Sequence, residues 1–140
     1  MPQSALHRLA RTDSSQRELH EGWDIADTWS QLEAVNRAGK ARAIGLSNAS
    51  RPTVEKILSK ATIIPATDQL ELHLYNPDPA LVSFLQEKGI TVQAYSPLGS
   101  TDSPILKDEV VLGLAEKNGV GAGDILLAYL RTCLHQRKNK

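Results

Sequence analysis

Three short runs of strand length dominate the middle of this sequence, and they start 25 residues apart, at Ala41, Ala66 and Thr91. A helix-like spacing of apolar residues separates each run from the next. Strands that alternate with helices in this way form βαβ units, whose strands pair in parallel through right-handed crossovers. The spacing therefore predicts an α/β fold with about three parallel strands, either part of a (β/α)8 barrel or a flavodoxin-like open sheet with an unrelated ligand.

Capping signals place the helices between these runs. Asp27 or Thr28 is predicted to cap the first helix, Ser50 the second, and the third is predicted to begin near Asp78. Two further helical patterns follow the third run. The strands themselves are predicted at 41–47, 66–73 and 91–95.

The composition shows no strong charge bias. The 140 residues carry 16 Lys and Arg against 16 Asp and Glu, whereas nucleic-acid binding requires clustered positive charge. No apolar run approaches the ~20 residues of a membrane span, and the N-terminus lacks the apolar core of a secretory signal. The single cysteine, Cys133, fits a reducing compartment. We therefore expect a cytoplasmic protein with no nucleic-acid or membrane partner.

Polar and apolar residues alternate along the second strand, although parallel strands covered on both faces are usually apolar throughout. Leu70 and Leu72 point to one side, while Gln69, Glu71 and His73 point to the other. A buried polar group without partners costs roughly 2–7 kcal/mol on apolar-transfer scales. The polar side is therefore predicted to face water, a ligand or the polar mouth of a barrel.

The other two strands also end in polar residues. Ser47 and Asn48 follow the first strand, and Tyr95 and Ser96 end the third. Ligands bind at the carboxyl edge of parallel strands in both candidate architectures, so this edge is the predicted site. Asn48 and Ser50 would serve equally well as helix caps, and that alternative stays open.

Two weaker signals lie nearby. Glu71 and His73 share a face, but a metal site needs a third ligand, so a structural histidine is favoured. The segment 95–102 offers hydroxyls, Gly99 and an aromatic face to a phosphate or a heterocycle, or it is an ordinary surface turn. It lacks the lysine of a P-loop, and no Gly-x-Gly-x-x-Gly motif follows a strand, so a Rossmann site is not indicated.

Four segments together resemble the aldo-keto reductases, and among them the fungal carbonyl and glycerol reductases. They follow the order and distances of that family between residue 23 and about 130, and are 24–29 (DIADTW), 39–48 (GKARAIGLSN), 68–73 (DQLELH) and 93–100 (QAYSPLGS). The resemblance implies a (β/α)8 barrel that binds NADPH across the carboxyl edge of its strands. It also implies hydride transfer from NADPH to a small aldehyde or ketone, with a tyrosine donating the proton.

The resemblance assigns a set of residues to the cofactor. Ser47, Asn48 and Gln69 would hydrogen-bond the nicotinamide carboxamide, and Tyr95 would stack on the nicotinamide ring. The pyrophosphate and the adenosine ribose would be lined by Ser96, Leu98, Ser100 and Asp102.

We find no segment in this sequence that matches the catalytic residues of the family. The family uses a tyrosine acid, a lysine that lowers its pKa, an aspartate paired with that lysine and a histidine that orients the carbonyl, and no segment here corresponds to them. We therefore predict no catalytic residue. Two further departures lie in the second strand, where Asp68 replaces the usual asparagine, and just after it, where Leu74 replaces a frequent proline.

A full barrel takes about 250 residues and eight strands, so three strands cannot close one. We expect a fragment, roughly the second half of the barrel, over 23–130, with a poorly structured segment 1–22 and a divergent basic tail 131–140. The chain alone is predicted to be inactive as a reductase. The alternatives are a non-catalytic nucleotide-binding module and a half-barrel that pairs with another chain.

Overall fold

Strands and helices alternate along most of the chain. The computed structural model describes Gly22, residues 24–100 and residues 102–134, so the predicted segment 1–22, apart from Gly22, and residues 135–140 of the predicted tail lie outside it. None of the described helices is long and apolar enough to cross a membrane. In chain order the elements are α1 (Ile25–Arg37), β1 (Leu46–Ser47), α2 (Arg51–Leu58), β2 (Thr67–Glu71), α3 (Pro79–Glu87), β3 (Thr91–Tyr95), a 3-10 helix (Pro104–Lys107), α4 (Glu109–Asn118) and α5 (Ala122–Leu134).

The three strands pair in parallel, in the order β1-β2-β3. Residues 46–47 of β1 lie opposite 68–69, and residues 67–71 of β2 lie opposite 91–95. A flavodoxin-like sheet places its first strand between two others, whereas a barrel wall is built from strands in chain order. The predicted α/β fold with three parallel strands is confirmed, and the strand order is that of a partial barrel.

The first strand is shorter than its apolar run predicts. Only Leu46 and Ser47 pair as a strand, and the segment before them contributes a hydrogen bond from the Ala66 N–H to the Ile44 carbonyl oxygen at 2.9 Å. Ala41, Ile44 and Leu46 of this run belong to a core cluster with Trp29 of α1 and Ile57 of α2. The prediction of a strand over 41–47 was wrong, because most of the apolar side chains in this segment pack against helices and only residues 46–47 pair with β2.

Helices cover one face of the sheet and leave the other largely open. Leu70 and Leu72 of β2 are buried in a core with Val54 of α2, Leu85 of α3 and Leu130 of α5. The side chains that alternate with them are exposed or half-buried, and they are Ser47, Thr67, Gln69, Glu71, Thr91, Gln93 and Tyr95. We call this set the open face. The alternation predicted along the second strand is therefore the division between a helix-covered side and a polar side.

Asp24 caps α1, so the prediction of Asp27 or Thr28 as the cap was wrong by three or four residues. The Asp24 carboxylate accepts a hydrogen bond from the Ala26 N–H at 2.9 Å and forms ion pairs with Lys56 and Lys60, both at 3.1 Å. The backbone hydrogen bond and the two lysines lower the pKa of Asp24 to about 2. The helix begins where a carboxylate finds both amide donors and cationic partners.

A second anchor joins α1 to the loop that leads into β2. The buried Glu33 carboxylate accepts hydrogen bonds from the N–H groups of Ile63 and Thr62, at 2.8 and 2.7 Å, and from the Thr62 hydroxyl and Arg37. These donors lower the pKa of Glu33 to about 2. The Trp29 indole N–H donates to the Ile63 carbonyl oxygen at 3.0 Å in the same region. The helix thus fixes the start of β2 by polar as well as apolar contacts.

The backbone at Gly45, just before β1, lies very close to Thr67 of β2. A Cβ on Gly45 would lie 2.8 Å from the Thr67 carbonyl oxygen, whereas a Cβ on Gly113 of α4 would meet nothing within 4 Å. We expect Gly45→Ala to lower the free energy of unfolding by about 1–3 kcal/mol, because the backbone of β2 must shift. The matched control Gly113→Ala is expected to raise it by roughly 0.5–1 kcal/mol. Urea unfolding followed by circular dichroism measures both, and equal effects at the two positions would contradict the close approach.

Candidate functional site

The carboxyl ends of the three strands meet at one edge, where the predicted site residues of β1 and β2 are in contact. Ser47 and Gln69 lie opposite each other in the sheet register. The Ser47 hydroxyl donates to the Gln69 carbonyl oxygen at 3.2 Å, and the Asn48 N–H donates to the same oxygen at 2.9 Å. Ser47, Asn48 and Gln69, which come from two different strand ends, therefore form one group.

Two of the strand ends stop in an unusual backbone conformation. Asn48 has φ 52° and Ser96 has φ 48°, both in the left-handed region. Asparagine tolerates this region because its short side chain hydrogen-bonds locally, whereas serine adopts it less readily. Residues held there cost of order 1–3 kcal/mol and cluster at ligand sites. The chain thus leaves β1 and β3 by the same kind of sharp turn, and both turns lie at the predicted edge.

A hollow of about 430 Å³ lies over this edge. Asn48 and Tyr95 both line it, together with Ser50 and Glu71. Gln69 is not part of its lining, but it lies on the open face two residues before Glu71, which is opposite Tyr95 in the sheet. The structure thus brings Ser47, Asn48, Gln69 and Tyr95 to one edge and gives two of them a shared hollow.

The other four predicted site residues lie in the loop that leaves β3. The Gly99 N–H donates to the Ser96 carbonyl oxygen at 2.9 Å, which closes a tight turn after the strand. The Leu98 side chain packs into a small core formed by Ile105, Val111 and Leu126. Ser100 and Asp102 are exposed. The Leu98 side chain therefore packs into the core, whereas the side chains of Ser100 and Asp102 are accessible to solvent or a ligand.

Ser50 precedes α2, as predicted for its cap, but its hydroxyl does not bond the helix amides. It forms a hydrogen bond with the Thr53 hydroxyl at 3.0 Å instead. Ser50 therefore occupies the predicted cap position of α2, but its side chain does not cap the helix.

His73 takes part in a local turn. Its Nδ1 accepts a hydrogen bond from the Tyr75 N–H at 3.2 Å, and its Nε2 lies 3.5 Å from the Glu71 carboxylate. Within residues 24–100 and 102–134, and at Gly22, no three His, Cys, Asp or Glu side chains are grouped to hold a metal ion. The contacts of His73 are those of a structural residue.

Two of the tyrosines have raised pKa values, which is unfavourable for a general acid near neutral pH. The Tyr75 hydroxyl donates to the Asp108 carboxylate at 2.8 Å, and this bond raises the pKa of Tyr75. A hydrogen bond with Cys133, together with burial, raises the pKa of Tyr129. A tyrosine acid needs a cationic neighbour that lowers its pKa, and neither tyrosine has its pKa lowered by a lysine.

Asp68 is a polar residue at the edge that the sequence analysis did not count among the site residues. It is fully buried, and its Oδ1 accepts a hydrogen bond from the Ala49 N–H at 3.4 Å. Ala49 is the residue that follows Asn48 in the chain. The alternation along β2 contained the signal, because Asp68 occupies the apolar side with Leu70 and Leu72. A carboxyl group in an apolar position is the pattern that should have drawn attention to it.

Known proteins match most of the chain. A D-galacturonate reductase of Hypocrea jecorina is 46% identical over 128 residues, which are 91% of this chain and 41% of that protein. The glycerol 2-dehydrogenase (NADP(+)) of Saccharomyces cerevisiae is 36% identical over 121 residues, which are 85% of this chain and 39% of that protein. The structure of the aldose reductase from Schistosoma japonicum superimposes with a TM-score of 0.77 at 34% identity, covering 86% of this chain and 39% of that one.

The matches agree on one family and on a partial correspondence. The chain spans about two fifths of the length of these relatives. The model of the Aldo/keto reductase family matches residues 5–130, which are most of the sequence. The barrel-like order of the strands agrees with that match. This chain belongs to the aldo/keto reductase family.

Proposed function

We propose that this chain forms the nicotinamide side of the cofactor site of an NADPH-dependent carbonyl reductase. The observation that carries the proposal is the contact of Ser47, Asn48 and Gln69 across two strand ends, with Tyr95 on the neighbouring strand. In this proposal residues 23–130 are the partial barrel, and segments 1–22 and 131–140 lie outside it. The single cysteine fits a cytoplasmic location.

Each of the four residues offers the chemistry that a nicotinamide ring requires. A carboxamide has both donors and an acceptor, and the side-chain amides of Asn48 and Gln69 complement both. The Ser47 hydroxyl already donates to Gln69, so its lone pairs are the part that would accept. The ring of Tyr95 offers a flat apolar surface on which a second ring stacks.

The loop after β3 would hold the rest of the cofactor. The Ser96 and Ser100 hydroxyls and the backbone N–H of Leu98 are donors suited to pyrophosphate oxygens. The Asp102 carboxylate is an acceptor suited to ribose hydroxyls. When bound, NADPH supplies a hydride for the carbonyl carbon of the substrate. Within this chain the proposed work is binding and orienting the cofactor.

The relatives support the class of substrate. One is named for galacturonate reduction and one for glycerol dehydrogenation with NADP(+). Both names describe small oxygen-rich molecules interconverted between alcohol and carbonyl. We propose the same class, an aldehyde or ketone of a small polyhydroxylated molecule, for the whole barrel to which this chain corresponds.

NADPH binding tests the proposed site directly. We expect Gln69→Ala and Tyr95→Ala each to weaken NADPH binding about tenfold, because each removes one hydrogen-bonding or stacking partner worth roughly 1–1.5 kcal/mol. Gln31→Ala, an exposed glutamine of α1, is the matched control and should leave the affinity unchanged. The fluorescence of NADPH titrated with the 140-residue chain measures the three affinities. Equal affinities for all three variants and the unaltered chain would overturn the site assignment.

The isolated chain is expected not to turn over carbonyl substrates. The three strands of the described residues do not close a barrel over the open face, and loss of a positioned general acid alone lowers rates typically ~10²–10⁴-fold. The measurement is carbonyl-dependent loss of NADPH absorbance with DL-glyceraldehyde as substrate. Steady oxidation that scales with the concentration of the pure chain would contradict this expectation.

A second candidate function is that of a half-barrel that pairs with another polypeptide. The observation in its favour is the open face, where Gln69 and Tyr95 are half-buried and Gln93 is exposed, in a sheet whose outer strands β1 and β3 each pair with β2 alone among the described residues. If the face mediates self-association, light scattering will detect species larger than 15.3 kDa, and Gln93→Lys will shift them toward the monomer while Gln31→Lys will not. A monomer at all concentrations would remove the support for self-association.

A further inference from the structure

Asp68 is a buried carboxyl group that the proposed cofactor contacts do not use. Its exposed fraction is 0% and its Oδ2 has no hydrogen-bond partner. Its Oδ1 has one partner, the Ala49 N–H at 3.4 Å. A carboxylate normally accepts several hydrogen bonds when it is buried, so this group is under-coordinated for a charged form.

The residues opposite Asp68 on both neighbouring strands are apolar. Leu46 of β1 and Val92 of β3 lie opposite it, and both pack against the core that contains Leu70 and Val54. No described lysine, arginine or histidine forms an ion pair with it.

The helices that cover Asp68 also carry charged residues. All of them are exposed, and they are Arg51, Glu55 and Lys56 of α2, Glu87 of α3 with Lys88 at its end, and Asp124 and Arg131 of α5. Arg51 pairs with Glu55, and Lys56 pairs with Asp24. The titratable groups of α5 packed near the same core, Tyr129 and Cys133, bond to each other. On the strands, Glu71 and Tyr95 belong to the open face. Among the described residues, Asp68 therefore has the Ala49 N–H as its single hydrogen-bond partner and forms no ion pair.

Burial raises the pKa of Asp68, and the single hydrogen bond from Ala49 opposes this only in part. An unpaired charge in an apolar environment is so unfavourable that a buried acid takes its neutral form instead. A neutral carboxyl group keeps a carbonyl oxygen that accepts from an amide. The geometry around Asp68 therefore suits a protonated side chain.

The turn that follows β1 depends on β2 for both of its first amides. The Asn48 N–H is bound by the Gln69 carbonyl oxygen and the Ala49 N–H by Asp68. Ser50, the next residue, makes no side-chain cap to the backbone of α2. The left-handed conformation of Asn48 is thus held by two adjacent residues of β2, one through its backbone and one through its side chain.

We propose that Asp68 is a positioning residue whose protonated carboxyl group holds the Ala49 amide, and with it the turn at 48–50, on β2, so that loss of this proton opens the turn that carries Asn48. The binding of the nicotinamide by Asn48 rests on the proposed function, whereas the protonation of Asp68 does not. Proton loss leaves a carboxylate that no described cation balances, so the turn opens and admits the water that solvates the charge. The turn then becomes the part of the edge that responds to pH.

The direction of the pH effect follows from the raised pKa of Asp68. An unfolded aspartate has a pKa of about 3.9, so above that pH the folded chain retains a proton that the unfolded chain has lost. The contribution of Asp68 to the free energy of unfolding is highest below the unfolded pKa and falls as the pH rises, until the folded group has also ionised. The carboxyl groups of Asp24 and Glu33, with pKa values of about 2, contribute no change above about pH 5.

Thermal unfolding of the 140-residue chain and of Asp68→Asn tests the protonation state without any cofactor. The amide keeps the acceptor oxygen and has no charge at any pH. From about pH 5 to about pH 8 we expect the melting temperature of the unaltered chain to fall by about 4 °C or more relative to that of Asp68→Asn. Asp27→Asn, at a carboxylate 69% exposed on α1, is the control and should keep the slope of the unaltered chain. Parallel curves for the chain and Asp68→Asn would overturn the proposal.

A second measurement tests the positioning role. The Ala49 amide should lose hydrogen-exchange protection at least about tenfold in Asp68→Ala and retain it in Asp68→Asn. NADPH affinity should follow the same order, with rescue by asparagine but not by alanine. Equal protection of Ala49 in both variants would overturn the positioning role. If NADPH fails to bind the unaltered chain, the proposed function fails, while the melting and exchange results still decide the role of Asp68.

Discussion

Parallel pairing of strands in chain order is the constraint on which this structure depends. Because each crossover is right-handed, successive helices fall on the same side of the sheet, and the second side receives none from these units. The sequence accommodates this with Leu70 and Leu72 facing the helices and with Gln69 and Glu71 facing away. All three carboxyl ends then meet at one edge, so residues more than 20 positions apart in the chain become neighbours.

The edge is held by polar contacts that β2 makes to its surroundings. The Gln69 carbonyl oxygen and the Asp68 carboxyl group bind consecutive amides of the turn after β1, while Glu33 binds consecutive amides of the loop before β2. The two carboxyl groups differ in their environments. Glu33 has four donors and a lowered pKa, whereas Asp68 has one donor and a raised pKa. The number of donors therefore decides which buried acid stays charged.

Sequence patterns predicted the elements whose signals were local. The bounds of β3 match the predicted strand at 91–95, and the division of β2 into two faces follows from its period-two alternation. The first strand was overestimated, because Ile44 is apolar to meet Trp29 and not to pair with β2. The cap of α1 was misplaced, because the contacts of Asp24 with Lys56 and Lys60 join residues distant in sequence. The meeting of Asn48 and Tyr95 at one hollow followed from the general rule for parallel sheets. The burial of Asp68 was missed, although its place on the apolar side of β2 carried the signal.

Chemical shifts of the backbone amides of the labelled 140-residue chain, recorded with and without NADPH, test the central claim that the strand edge is a cofactor surface. The account predicts that the largest changes occur at Ser47, Asn48, Gln69 and Tyr95, with smaller ones at Ser96, Ser100 and Asp102. Changes confined to α1 or α4, or no changes at saturating NADPH, would contradict it.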